Sequence, residues 1–260
     1  MTPLHDKVED WGPRFSYAEL VKFLEFAREV APVVPMRDHE TANGRVIVLR
    51  QDADLDVIPS YDVAQLQKRI GIRSTFFVLT TAFTYNPRSA RVRGMLREMV
   101  GDGFEIGLHF DPTVYGNATR AELVRAVELE SSILGEITGE PVRSIALHNP
   151  SVLNEWPTFD GYINAGSPEL FENARYLSDS MRVDPTLHPY RGKDPYGFLK
   201  NASAFPLQIT LHPEQFLEHG GDYVDSMTRY SARLSSVILR DYVGALEAIR
   251  KTRAYELPDT

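Results

Sequence analysis

The chain has 260 residues, of which 43% are hydrophobic, 25% charged and 10% aromatic, the make-up of a folded globular protein with a large core rather than a disordered chain. A net charge of -8 argues against a nucleic-acid backbone or an anionic membrane surface as partner, and the absence of cysteine excludes disulfides and thiolate chemistry. No apolar run is long enough to span a bilayer. The opening MTPLHDKVEDWG lacks the basic start and apolar core of a secretory signal, so a cytoplasmic location is expected.

In chain order, Ser16 and Glu19 form a capping box, and Leu20, Phe23, Leu24, Ala27 and Val30 recur at helical spacing up to Pro32. This predicts a leading helix, so residues 1–45 are read as a lead-in and 46–260 as the main unit of a single structural domain. Val46 to Leu49 is a continuous aliphatic run, the pattern of a strand buried on both faces. A helix over Val63–Ile70, a strand over Ser74–Thr80 and a helix over Ser89–Val100 follow. The next strand is Phe104–Leu108. Thr119 and Glu122 then open another helix, which stops before Gly139 and Pro141. A strand over Ser144–Leu147, a short helix over Pro168–Asn173 and a short strand over Tyr176–Ser178 come next. Residues 182–200, with Pro185, Pro189 and Pro195, read as a long loop on the functional side. LQITL, Leu207–Leu211, alternates as the last clear strand, and a long helix from about Tyr223 to Arg250 closes the chain. Strand and helix alternate throughout, which predicts a parallel sheet with right-handed crossovers, either open or closed into a barrel.

Polar residues fall at one place in this pattern. Asp52, Asp54, His109, His148, Asp179 and His212 each lie at or just past the carboxyl end of a strand, the end on which parallel α/β folds build their sites. Asp52 and Asp54, spaced by two, share one side of an extended chain. Asp56 reads as loop. His5, His39, His188 and His219 lack the strand-end placement and read as solvated or locally bonded. Two His and one Asp with an open position suit zinc or another divalent transition metal and metal-assisted hydrolysis. A second carboxylate can then take a proton from water, and an opposing imidazole can protonate a leaving amine.

The motifs RQDADLD (Arg50–Asp56), EIGLH (Glu105–His109) and TLHP (Thr210–Pro213) resemble the NodB-type polysaccharide deacetylases, over about residues 46–213. The first motif is similar to a divergent subgroup that reads Arg-His-Asp-Val-Asp; Arg50, Asp52 and Asp54 match it, while Gln51 and Ala53 depart from it. The resemblance implies a single-domain distorted (β/α)7 barrel and a divalent-metal amidohydrolase that removes acetyl groups from sugars. It further implies Asp52 as general base, Asp54 and His109 as metal ligands, His212 as general acid and Asp179 as the carboxylate that orients His212.

One departure stands out. The family pairs its ligand histidines as His-x3-His, and position 113 here is Thr, a poor ligand. His148, at the end of the next strand, is expected to supply the missing imidazole. The strand that carries an orienting Arg in most of the family has none here, which leaves Arg50 or Arg182 for that task. Arg50, Asn149, Arg182 and Tyr190 are the expected substrate-binding residues, and Asn149, Trp156, Tyr162 and Tyr190 could line a sugar subsite. The expected metal is zinc, with Co, Ni, Fe or Mn as other candidates, and the expected substrate is an N-acetylated sugar or sugar conjugate. Two rivals remain open at this stage: a hydrolase of a non-sugar amide on the same scaffold, and a carbohydrate-binding homologue without catalysis.

Overall fold

A computed structural model describes residues 15–150, 156–180 and 190–252. Helix α1 (Tyr17–Val30) starts on the expected capping box, with both halves formed, and buries Leu20, Phe23, Leu24 and Ala27. The strands are β1 (Val33–Val34), β2 (Ile47–Ala53), β3 (Thr75–Val78), β4 (Glu105–Phe110), β5 (Ser144–Leu147), β6 (Ile163–Asn164), β7 (Tyr176–Ser178) and β8 (Leu207–Leu211). Between them lie α2 (Val57–Arg69), α3 (Ala90–Gly101), α4 (Arg120–Thr138), α5 (Pro168–Phe171) and α6 (Pro195–Lys200), with α7 (Tyr223–Thr252) closing the described chain.

All the strand pairings are parallel, and the order is β6-β5-β4-β3-β2-β8-β7, with β1 added beside β2. The sheet is a curled half-barrel ringed by helices. Among the described residues β6 and β7 do not pair, so the curl stays open there. The Gln208 amide spans part of that gap, donating to the carbonyls of Ala165 (3.1 Å) and Leu170 (3.2 Å).

The two-residue strand period sorts the side chains into two cores. Ile47 and Leu49 of β2 face the helices, in a large cluster that takes in α1 through Leu20 and Phe23, so the lead-in shares the core of the main unit. Val46 and Val48 face inward and meet Met36, Phe77, Ala146, Ala165 and Leu170 in a small interior cluster. Below it Glu105 ties the strands together. Its carboxylate accepts from Thr75 Oγ1 (2.6 Å), Ser144 Oγ (2.8 Å) and the Arg37 backbone N–H (2.8 Å), so a fully buried charge is hydrogen-bonded on both oxygens.

Three expectations change. Helix α2 begins at Val57 rather than Val63, because the Asp56 carboxylate caps it by accepting from the Ile58 N–H at 3.2 Å, and Pro59 falls in the first turn, where a missing N–H costs nothing. Asp56 is therefore a helix cap and not loop. Within 182–200 the segment Pro195–Lys200 is helical, capped by the Asp194 carboxylate, which accepts from the N–H groups of Tyr196 (3.2 Å) and Gly197 (2.9 Å). Strands β1 and β6 were not anticipated, since two residues show no periodicity.

Gly107 faces inward opposite Phe77. A Cβ there would stand 2.5 Å from the Phe77 ring and 2.8 Å from Ser144 Oγ. Gly107→Ala is expected to destabilise the fold by roughly 1–3 kcal/mol through overpacking, measured by denaturant unfolding; an unchanged midpoint would show that the interior has slack to absorb a methyl group.

Candidate active site

The inward parity of β2 continues past Val48 through Arg50, Asp52 and Asp54, so one strand delivers a guanidinium and two carboxylates to the same face. Arg50 and Asp52 form a bidentate pair, with Nε to Oδ1 at 2.7 Å and the second guanidinium nitrogen to Oδ2 at 2.6 Å. The guanidinium also stacks over Phe77, 5.3 Å from the ring centre. Burial alone would raise the Asp52 carboxyl pKa, but the Arg50 charge, with His109 and His212 behind it, brings it below the ordinary value. Arg50 is thus spent on Asp52 and is only 7% exposed, which corrects its expected role as a substrate contact; it orients and ionises the carboxylate.

Asp54, His109 and His148 converge. His109 Nε2 lies 3.1 Å from Asp54 Oδ1, His148 Nδ1 lies 3.5 Å from the same oxygen, and the two imidazole nitrogens are 3.2 Å apart. His109 Nδ1, 3.0 Å from the Ala146 carbonyl, can only donate there, so in the neutral ring the lone pair is on Nε2. That lone pair points at a buried carboxylate oxygen, Asp54 Oδ1, to which no group donates a well-aligned hydrogen bond among the described residues. Facing acceptors in a buried site call for a cation between them. The geometry fits one: ligand atoms about 2.0–2.1 Å from a tetrahedral ion stand about 3.3 Å from one another, close to the three separations here. The three residues also form a cluster able to hold a metal ion. Asn149 Nδ2 lies 2.8 Å from His148 Nε2 and donates to it as placed; the flipped amide would instead accept from the Nε2–H and leave the Nδ1 lone pair to the site. Asn149 holds a left-handed backbone (φ 46°), unusual for a residue other than glycine but best tolerated by Asn and Asp.

His212 approaches from the opposite side, with Nε2 3.7 Å from Asp54 Oδ2 and 4.0 Å from Asp52 Oδ2. Its other nitrogen lies 2.5 Å from Asp179 Oδ1, and its backbone N–H donates to Asp179 Oδ2 at 3.0 Å. Burial pulls the His212 pKa down, but the fully buried Asp179 carboxylate overrides this, and the net shift is well above 6.5. Glu214, two residues on, shifts upward: burial, with the nearby Asp54 charge, raises its carboxyl pKa well above the ordinary value.

Asp54, His148, His212 and Glu214 line an open cleft of about 550 Å³, with Arg50, Asp52, His109 and Asp179 buried behind them. Asn149, Asp111 and Ser180 line it, and Phe83 and Val114, 94% and 52% exposed, form an apolar rim. Thr113 spends its hydroxyl and its N–H on Asp111 Oδ1, at 2.6 and 2.9 Å.

Of the expected substrate residues, Asn149 stands at the cleft. Tyr190 does not: it is 3% exposed and stacks on Phe15, ring centres 5.7 Å apart, which corrects that assignment. Arg182 lies outside the described residues. Trp156 packs on Phe171, and Tyr162 packs against the main core. Glu214, Phe83 and Val114 were missed from sequence, because they sit in short turns and loops where no period marks which way a side chain faces.

No family model matches the chain, and no curated relative does. Among solved structures it is similar to the Xyl-CE4 domain of a multidomain xylanase from the hindgut metagenome of Trinervitermes trinervoides, at 19% identity and TM-score 0.39, covering 80% of this chain and 91% of that one. It is similar also to the peptidoglycan deacetylase PdaC of Bacillus subtilis, at 16% identity and TM-score 0.43, covering 79% and 96%. A third is the chitin deacetylase of Colletotrichum lindemuthianum, at 14% identity and TM-score 0.41, covering 64% and 73%. At these values the likeness carries no argument about chemistry, which rests on the side chains themselves.

Two measurements test the site. In metal titration, His148→Ala should weaken divalent-ion affinity by more than about a hundredfold, beyond the loss typical of a group one step removed from the ion, while Thr113→Ala leaves it unchanged. Affinity should also fall with pH: burial lowers the His148 pKa but Asp54 raises it more, so protons compete for this ligand once the pH drops through that raised value. By NMR, His212 should stay charged through neutral pH, and in Asp179→Asn its midpoint should fall toward the ordinary 6.5. A wild-type midpoint already at 6.5 would mean that the Asp179 pair does not form in solution.

Proposed function

We propose that the protein is a divalent-metal-dependent hydrolase that removes the acetyl group from an N-acetylated sugar or sugar conjugate. The observation that carries the hydrolase reading is the orphaned Asp54 Oδ1 facing the His109 lone pair beside His148, with an ionised carboxylate and a charged imidazole flanking it. The sugar reading leans on the motif resemblance and on an open cleft with polar walls and an apolar rim.

When bound by Asp54, His109 and His148, a divalent ion would supply a Lewis acid that makes water nucleophilic near neutral pH and polarises an acyl oxygen; zinc suits the Asp-His-His set best. Asp52, held ionised by Arg50, accepts the proton of the attacking water. Its fork with Arg50 fixes both oxygens, so no reorientation is needed as the proton arrives. His212, kept protonated by Asp179, donates to the departing amine nitrogen, which leaves neutral. Amide and water become amine and carboxylic acid, with the base and acid on separate groups whose environments push their pKa values apart.

Acetate release from a panel of N-acetylated sugars, sugar conjugates and non-sugar amides tests this with metal-loaded protein. Asp52→Asn and His212→Ala should each lower kcat by roughly a hundredfold to ten-thousandfold while metal content stays stoichiometric. Turnover of the non-sugar amides alone would keep the hydrolase and remove the sugar. Stoichiometric metal with no turnover of any substrate, in wild type and variants alike, would leave a binding protein.

A further inference from the structure

Helix α7 changes character along its length. Its first half is anchored: Ser226 and Val237 are buried, the Tyr230 hydroxyl donates to the Leu55 carbonyl at 2.7 Å, and Arg233 pairs with Asp62 at 2.7 Å. Farther along, Asp241 pairs with Arg91 at 3.7 Å. From 238 to 251 every residue is exposed.

That projecting end is not polar. Ile238, Leu239, Tyr242, Val243 and Leu246 are 60, 63, 64, 42 and 44% exposed. At about 100° per residue, Leu239, Tyr242 and Leu246 fall in one narrow stripe with the i, i+3, i+7 spacing of a helix-pairing seam, and Ile238 and Val243 widen it on either side. The stripe points away from Val237 and Asp241, the side that meets the body. Among the described residues nothing packs on it. Four turns of helix without a packed face are marginal in water, so a cover over the stripe would stabilise the extension itself.

We propose that this stripe docks a second copy of the chain, the two α7 ends pairing about a two-fold axis. Three features favour a second copy. The stripe carries no charge between Ile238 and Leu246, so it can face itself without placing like charges in contact. The exposure of its five large side chains amounts to roughly 550 Å² per copy, hence about 1,100 Å² for two, just above the about 1,000 Å² that a specific interface requires. A membrane would want a basic polar face, whereas residues 238–251 hold Arg240, Arg250 and Lys251 against Asp241 and Glu247, nearly balanced. An antiparallel crossing level with Gly244 sets Tyr242 of each copy against Leu246 of the other. The inference does not depend on the chemistry proposed above.

Sedimentation equilibrium of the full chain over a wide concentration range tests it. Wild type should dimerise reversibly. The Leu239→Glu, Leu246→Glu double variant should weaken dimerisation by more than about a hundredfold, since it removes two apolar contacts and buries charges against apolar partners such as Tyr242. Ala248→Glu, the same charge off the stripe, should dimerise as wild type does. Circular dichroism and thermal unfolding matching wild type would show that the double variant still folds, as expected for exposed positions. A wild type that stays monomeric, a double variant that still dimerises, or equal loss in Ala248→Glu would each overturn the proposal. So would a monomer that sediments with anionic phospholipid vesicles through the same stripe.

Discussion

Two carboxylates at one strand end, the buried Asp52 and the half-buried Asp54, share one small volume, and the rest of the site follows from the need to neutralise them. An isolated ion in such a place would be expelled or would take up a proton. Asp52 is neutralised by a permanent cation two residues back on the same face of β2, and no proton can substitute for that guanidinium. Asp54 has no such partner. Its free oxygen faces imidazole nitrogens instead, and the fit to a metal follows from that shortage of donors.

The same pressure separates the remaining titratable groups. His212 has Asp179 on one side and both aspartates on the other, so its charged form is favoured despite burial. Glu214, close to Asp54 and without a guanidinium of its own, has its carboxyl pKa raised by burial and by that neighbouring charge. A proton acceptor, a proton donor and a cation-binding set thus arise side by side from differences in partner rather than in residue type. Their support is mechanical as well as electrostatic: Arg50 rests on Phe77, whose ring needs the missing side chain at Gly107, and Glu105 clamps the strands beneath.

Much of this could be read along the chain. The aliphatic run at Val46–Leu49 placed β2, the capping boxes at Ser16 and Thr119 placed α1 and α4, and the strand-end rule picked out Asp52, Asp54, His109, His148, Asp179 and His212, which the fold brings into one site. Arg50 was visible as a candidate, but its target was not, although its parity with Asp52 was already in the sequence. Tyr190 was misjudged because an aromatic in a proline-rich loop reads alike whether it lines a cleft or seals a core.

Sequence by itself determined the alternation of elements, the side of the sheet on which chemistry gathers and the pairing of Asp52 with Asp54 on one face, because these depend only on the local periods of strand and helix. Tertiary structure alone decided the rest. That His148 stands beside His109 and Asp54 depends on β5 lying beside β4, a pairing across 37 residues between His109 and Ala146. Which acceptors face one another, which carboxyl pKa rises and which falls, and which face of α7 is left uncovered depend on distances and burial. No local period encodes those quantities, since they arise only when strands far apart in the chain curl around one interior.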